Sequence, residues 1–245
     1  MYQTYLFDLY GTLVDIRTDE EDIEVWRKCS VFYGYYGADY TPEELKNAYL
    51  DEEHYLREEA KEKLGSFKDS YPEIVLERAF QALFEKKGIQ ASMELAVHAG
   101  QFFRILSLNY IKLYPNIVTM LETLKAKQKK VYLLSNAQQI FTEYEMNYLD
   151  IKKYFDGILF SSDAGVMKPD IRFYEKAIEK FDIKKEQAVM IGNDYTCDIL
   201  GARAAGIDAF YVHTNISPAM PNDIKDTKWM YGMDGIKLLE QLLNI

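Results

Sequence analysis

Five side chains suited to handling a phosphoryl group each follow closely on an apolar, strand-like run. They are Asp8 in Phe7-Asp8-Leu9-Tyr10-Gly11-Thr12, Ser135 in Leu133-Leu134-Ser135-Asn136, Lys168 in Gly165-Val166-Met167-Lys168-Pro169, and Asp194 with Asp198 in Gly192-Asn193-Asp194-Tyr195-Thr196-Cys197-Asp198. A carboxylate nucleophile, a hydroxyl donor, a cation and a further acidic pair make a phosphate-handling site with room for a divalent metal. Taken singly, each residue has an ordinary reading: a turn aspartate, a capping serine, a solvated lysine, or an acid at a helix N-terminus. Their joint occurrence at strand ends favours chemistry. Gly11 allows a sharp turn that brings backbone N–H groups toward an anion.

The elements that must position these residues read in two textures. Tyr2 to Phe7 is a short buried strand. From about Ile16 to Ile111 the signals are helical. Thr18 with Glu21 and Thr41-Pro42-Glu43-Glu44 fit capping boxes. Pro72 opens a helix whose apolar stripe (Ile74, Val75, Leu76, Ala79, Phe80, Leu83, Phe84) ends at Gly88, and Ser92 starts a fourth helix. After Tyr114-Pro115, helices and strands alternate. The helices are expected over 116–127, 140–149, 171–181, 196–205 and 235–243, and the strands over 131–134, 157–160, 188–191 and 209–212. That alternation predicts an α/β fold with a parallel sheet covered on both faces and ligands outside the carboxyl ends of its strands.

The four segments resemble the motifs of the haloacid dehalogenase-like (HAD) hydrolase superfamily. The most specific match is Asp194-x-x-x-Asp198 followed by Ile199-Leu200-Gly201-Ala202-Arg203-Ala204-Ala205-Gly206. The resemblance implies a Rossmann-like, doubly wound core formed by residues 1–15 and 112–245, with an α-helical C1 cap inserted at 16–111. It implies that Asp8 forms an aspartyl-phosphate, that Ser135 and Lys168 bind the transferring group, and that Asp198 orients Lys168 or adds to the metal site. Mg²⁺ would be held by Asp8, Asp194 and the Tyr10 backbone carbonyl. Gly11, Thr12 and Asn136 would contact the substrate.

Tyr10 departs from that pattern. Superfamily phosphatases carry aspartate at this position, where it protonates the leaving group and activates water. A phenol is a poor base at neutral pH, and general acid–base help is worth about 10²–10⁴ in rate. Glu20, Glu21 or a cap tyrosine are the candidates to replace it. The Asp-x-Tyr-Gly-Thr form is similar to the first motif of L-2-haloacid dehalogenases, whose halide leaves without a proton. Those enzymes use no metal and carry an early-cap arginine. This chain keeps Asp194 and has no arginine from Cys29 to Leu50. The balance favours a Mg²⁺-dependent phosphatase acting on a small phosphorylated metabolite. A dehalogenase is the alternative, and a non-catalytic regulatory protein the third reading.

Composition narrows the partners. The chain has 245 residues, 48% of them hydrophobic, and a net charge of −10. That charge opposes nucleic acid and anionic membranes as partners. No apolar run approaches a membrane span, and the N-terminus lacks a signal-peptide pattern, so a soluble cytoplasmic protein is expected. Cys29 and Cys197 read as free thiols. His54, His98 and His213 show no ligand spacing, and Trp26 reads as cap core. Tyr33, Tyr35, Tyr36 and Tyr40 suit either an aromatic lid or helix packing, and packing is favoured.

Overall fold

The computed structural model describes residues 2–65, 70–220, 222–224 and 226–243. Its strands are β1 (Thr4–Phe7), β2 (Val14–Thr18), β3 (Leu108–Leu113), β4 (Lys130–Ser135), β5 (Gly157–Phe160), β6 (Ala188–Gly192), β7 (Asp208–His213) and β8 (Lys228–Tyr231). Helices α1 (Ile23–Tyr35), α2 (Pro42–Leu64), α3 (Glu77–Glu85) and α4 (Met93–Ser107) lie between β2 and β3. The remaining helices are α5 (Ile117–Ala126), α6 (Gln139–Tyr148), α7 (Ser161–Ala164), α8 (Ile171–Phe181), α9 (Gly201–Ala204) and α10 (Gly235–Leu243).

Six strands form one parallel sheet in the order β5-β4-β1-β6-β7-β8. The alternation of side chains along each strand serves two cores. Tyr5, Phe7, Val131, Leu133, Val189 and Ile191 pack with α5 and α10 on one face. Leu6, Leu134 and Met190 pack with α8 and α9 on the other. Burial on both faces is why these strands read as continuous apolar runs rather than alternating ones. β1 sits at the centre, with β4 and β6 on either side. The chain reverses its winding there, and such a switch point opens a crevice at the carboxyl ends of the strands.

The helices α1 to α4 enclose a core of their own. Trp26 packs between Tyr49 and Phe103, and Phe80 touches Tyr49, Phe103 and Phe141. The Thr41 capping box is present, and the Ser92 side chain caps α4 at Leu95 N–H. Tyr33 and Tyr40 pack inside this body and donate to the Phe80 and Leu83 carbonyls, while Tyr35 is 87% exposed. Tyr33 and Tyr40 are therefore packing residues, while Tyr35 and Tyr36 lie at the surface.

Three local expectations are corrected. The segment entering the helical body is a strand: β2 pairs antiparallel with β3, so the body hangs from a two-stranded stem. Thr18 ends β2, and Asp22 caps α1 instead by accepting from Glu24 N–H. Pro72 does not open a helix. It bridges to Val166, the Met167 N–H donates to the Tyr71 carbonyl (2.9 Å), and α3 starts at Glu77. Backbone pairing with the loop before Lys168 satisfies this stretch without helical turns. Two further stretches read differently in the structure: 195–200 winds as a π-helix ahead of α9, and β8 adds an edge strand that carried no clear pattern. Cys29 and Cys197 are free thiols, and no described helix is long and apolar enough to cross a membrane.

Phe80→Ala would remove a fully packed ring where the neighbouring rings cannot all collapse inward. The expected loss is about 3–5 kcal/mol, read as a shift in the urea unfolding midpoint.

Candidate active site

The switch-point crevice gathers the expected residues, although Lys168 comes from the loop after α7 and not directly from the end of β5. Asp8 follows β1 and is 7% exposed. Its Oδ1 accepts from Ser135 Oγ (3.1 Å) and from Lys168 Nζ (2.8 Å). Its Oδ2 has one longer contact, to Thr12 Oγ1 at 3.4 Å. Lys168 Nζ also donates to Asp198 Oδ1 (2.6 Å) and to the Leu134 carbonyl (2.8 Å), so all its protons are used. Asp198 Oδ2 accepts from Asp194 N–H at 2.9 Å. Residues from opposite ends of the chain thus share one buried ion cluster.

Burial alone would push the Lys168 ammonium toward its neutral form. Asp198 and Asp8 outweigh that, and its pKa rises above the usual lysine value. Burial drives the Asp198 carboxyl upward, with Lys168 opposing and Asp8 adding to the rise. The backbone makes room for this cluster. A Cβ on Gly192 would lie 2.2 Å from the Asp198 carboxyl carbon. Gly11 adopts φ +81°, and a Cβ there would lie 2.2 Å from the Asn193 amide nitrogen. Asn136 clamps the Lys168 main chain in both directions, with Nδ2 donating to its carbonyl (2.8 Å) and Oδ1 accepting from its N–H (2.7 Å). It stands beside the crevice as a positioning residue.

The loop after Asp8 is turned differently from the expected anion cradle. The amides of Thr12, Leu13 and Val14 donate to the Leu9 carbonyl, and Gly11 N–H donates to Val14. They are spent on closing the loop, so what Thr12 offers is its hydroxyl. No amide of that loop donates to the Tyr10 carbonyl among the described residues. Asp194 Oδ1 caps Cys197 N–H at 2.8 Å. Two carboxylates and a carbonyl suit Mg²⁺, which binds through one or two carboxylates, keeps water and takes its other oxygens from phosphate. Among the described residues there is no cluster of three or more His, Cys, Asp or Glu for a metal that needs a full protein cage.

Tyr10 points away from proton transfer. Its hydroxyl donates to Glu145 on α6 and lies 3.0 Å from Thr142 Oγ1. Burial and the adjacent Glu145 charge push the phenol far above its ordinary range. Arg104 of α4 locks Glu145 at 2.6 Å and stands over the Tyr10 ring at 5.8 Å.

Above this floor lies a cavity of about 500 Å³. On the core side it is lined by Tyr10, Asn136 and Met167, near neighbours in sequence of Asp8, Ser135 and Lys168. From the helical body come Tyr49, Glu53 and Arg57 of α2 and Arg104 of α4, with Glu20 from the loop before α1. The motifs did not reveal Arg57, Arg104 or Glu145. The only signal was a charged residue among apolar helical positions, which is an ordinary surface pattern until the partner helix is placed. None of the three histidines lines the cavity, nor do Tyr33, Tyr35, Tyr36 and Tyr40.

Lys168→Met would leave buried carboxylates without their cation, at a cost of about 3–5 kcal/mol near neutral pH. Asp198 would lose the opposing ammonium and rise further. Its native carboxyl would then hold a proton that the unfolded chain releases above about pH 4. The native state binds more protons in that window, so the stability gap to the parent should narrow on acidification. Urea denaturation at about pH 7.5 and about pH 5.5 reads the difference.

Comparison with known proteins agrees with this geometry. A family model for haloacid dehalogenase-like hydrolases matches residues 2–206. The chain is 30% identical over 189 residues to a glyceraldehyde 3-phosphate phosphatase of Methanothermobacter thermautotrophicus, covering 77% of this chain and 80% of the relative. It is 28% identical over 154 residues to a phosphoserine phosphatase of Thermus thermophilus, covering 62% and 60%. In fold it is similar to a 2-haloacid dehalogenase from Pseudomonas syringae (TM-score 0.64, 21% identity, 100% and 99% covered). It is also similar to a HAD phosphatase from Thermococcus onnurineus (TM-score 0.58, 18% identity, 98% and 97% covered). With most of its length matched by one family description, the chain belongs to the haloacid dehalogenase-like hydrolases.

Proposed function

We propose that the protein is a Mg²⁺-dependent phosphatase of a small phosphorylated metabolite, working through an aspartyl-phosphate on Asp8. The observation that carries this reading is the contact of Asp8 with Lys168 at 2.8 Å inside the crevice. The names of the relatives, phosphatases of small metabolites, support the same substrate class. Residues 1–15 and 112–245 would supply the chemistry. The insert at 16–111 would act as a cap that excludes water and recognises the leaving group.

Asp8 attacks phosphorus with a carboxylate oxygen, and the bond to the leaving oxygen breaks. Ser135 and Lys168 turn their protons toward the oxygens of the transferring group as charge develops there. Thr12 adds a hydroxyl at the base of the pocket. Asp198 holds Lys168 in line, and Asn136 holds its backbone. Asp8, Asp194 and the Tyr10 carbonyl would hold Mg²⁺, which when bound offsets phosphate charge as a Lewis acid. Water then attacks phosphorus of the intermediate and releases Asp8.

Tyr10 favours one competing reading, a dehalogenase, because halide departure needs no proton. Retention of Asp194 opposes it, since a metal-independent dehalogenase has no need of that carboxylate. Incubation with p-nitrophenyl phosphate, with and without Mg²⁺, and with L-2-chloropropionate separates the two. Phosphate release that EDTA stops and Asp8→Asn abolishes is the expected result. Chloride release without metal would replace the phosphatase reading.

A further inference from the structure

A phosphatase of this design still needs a proton for its leaving group, and Tyr10 does not provide one because its hydroxyl proton is held by Glu145. Three glutamates line the cavity that Tyr10, Asn136 and Met167 also line: Glu20, Glu53 and Glu73. Two are committed elsewhere. Glu53 takes the Arg57 guanidinium through Nε (3.0 Å) and Nη2 (2.6 Å). Glu73 accepts from Ile74 N–H (2.9 Å) and from the Ser161 hydroxyl (2.7 Å), one on each oxygen. The Glu20 carboxyl accepts no hydrogen bond from the described residues, and its nearest cation is Arg104 Nη1 at 3.6 Å. Its neighbour Glu21 is turned outward onto Lys46.

The backbone holds Glu20 in place although it lies in a loop. The Asp19 carboxylate accepts from the amides of Glu21 (3.1 Å) and Asp22 (3.2 Å). Asp19 N–H donates to Ser107 at 2.8 Å. The Trp26 indole, buried in the helical core, donates to the Glu20 carbonyl at 2.8 Å. The loop is thereby tied to both ends of the stem-and-helix body, and the side chain, 42% exposed, faces the cavity shared with Tyr10.

We infer that Glu20 is the acid–base group of this enzyme, in place of the carboxylate missing at Tyr10. The inference rests on the phosphatase reading above. In the first step Asp8 forms its bond to phosphorus, the bond from phosphorus to the leaving oxygen breaks, and that oxygen takes the Glu20 proton. In the second step the Glu20 carboxylate takes a proton from water as the water oxygen bonds to phosphorus. The bond from phosphorus to Asp8 breaks, which returns Asp8 as a carboxylate and Glu20 as an acid. Charge and protons balance over the cycle.

The surroundings suit that task. Burial raises the Glu20 pKa, Arg104 of α4 opposes the rise, and Glu53 of α2 and adjacent Glu21 add to it. Tyr49 and Arg57 of α2 and Glu73 also face the cavity, and Glu145 of α6 is linked to it through Arg104 and Tyr10. A raised carboxyl is both a better-populated acid and a stronger base near neutrality.

The test compares Glu20→Gln with the parent and with Glu21→Gln on size-matched aryl phosphates, under single turnover with Mg²⁺ and enzyme in excess. With p-nitrophenyl phosphate the leaving group needs no proton, and Glu20→Gln should release p-nitrophenol near the parent rate. With unsubstituted phenyl phosphate its rate should fall by roughly 10²-fold, the low end of what general acid help supplies. Glu21→Gln should follow the parent on both. The parent's rate on phenyl phosphate should fall as pH rises through the Glu20 pKa, and the variant should lack that limb. Acid-quenched Glu20→Gln should carry phosphate on Asp8, seen by mass spectrometry, because its second step has lost the base. Equal loss on both substrates, or no loss on either, overturns the assignment and leaves the phosphatase reading intact. A parent that releases neither phenol and forms no phosphoenzyme overturns that reading, and the assignment with it.

Discussion

One ammonium organises the centre of this molecule. Lys168 Nζ sits between Asp8 and Asp198 and against the Leu134 carbonyl, with the residue 2% exposed. A charge so far from water is tolerable only where its partners are charged, close and fully hydrogen-bonded. Neighbouring structure can be read as keeping those partners in place. Asn136 fixes the Lys168 backbone from the end of β4. The 71–73 stretch pairs with the 165–167 loop just before it. Gly192 leaves the space that Asp198 fills. Removing the cation would strand two acids, so the same contact serves stability and the proposed chemistry.

A second charged cluster sits opposite. Arg104 joins Glu145, the Tyr10 ring and Glu20, and so ties α4 of the helical body to α6 and to the loop after Asp8. The substitution at Tyr10 is therefore more than a missing acid. The longer side chain crosses to α6 and buys a fixed wall for the cavity, with its own hydroxyl held out of proton transfer. Glu20 stands at the edge of this network with a carboxyl that takes no hydrogen bond from the described residues, which separates it from Glu53 and Glu73.

Both arginines on the cap side of the cavity are paired. Arg57 is held by Glu53 and Arg104 by Glu145. Paired guanidinium groups are weaker attractors for an anionic leaving group than free ones. The cap side offers donors and acceptors from Glu20, Glu53, Glu73, Arg57 and Arg104 with the ring of Tyr49, and Phe141 of α6 faces them. This arrangement matches a proposed substrate whose charge is concentrated in its phosphoryl group.

Much of this was legible along the chain, and the boundary has a physical cause. Both-face burial makes the strands of a parallel sheet read as short apolar runs, so β1, β4, β5, β6 and β7 could be placed, and with them Asp8, Ser135, Asp194 and Asp198, whereas Lys168 lies beyond α7 instead of at the end of β5. Local capping chemistry marked α2 and α4 because a cap is satisfied within four residues of itself. The stem strands β2 and β3, the edge strand β8 and the non-helical 71–76 stretch were hidden, because their hydrogen-bond partners lie far away in sequence. The Gly11–Val14 amides looked open to an anion, and only the folded loop shows that they close upon it. Asp198 on Lys168, Tyr10 on Glu145, and a Glu20 carboxyl that takes no hydrogen bond from the described residues are distinctions between chemically similar side chains. Sequence determined which groups were present and at which strand ends. Tertiary structure decided which of them were engaged, because a hydrogen bond across the fold depends on where two distant backbones come to rest.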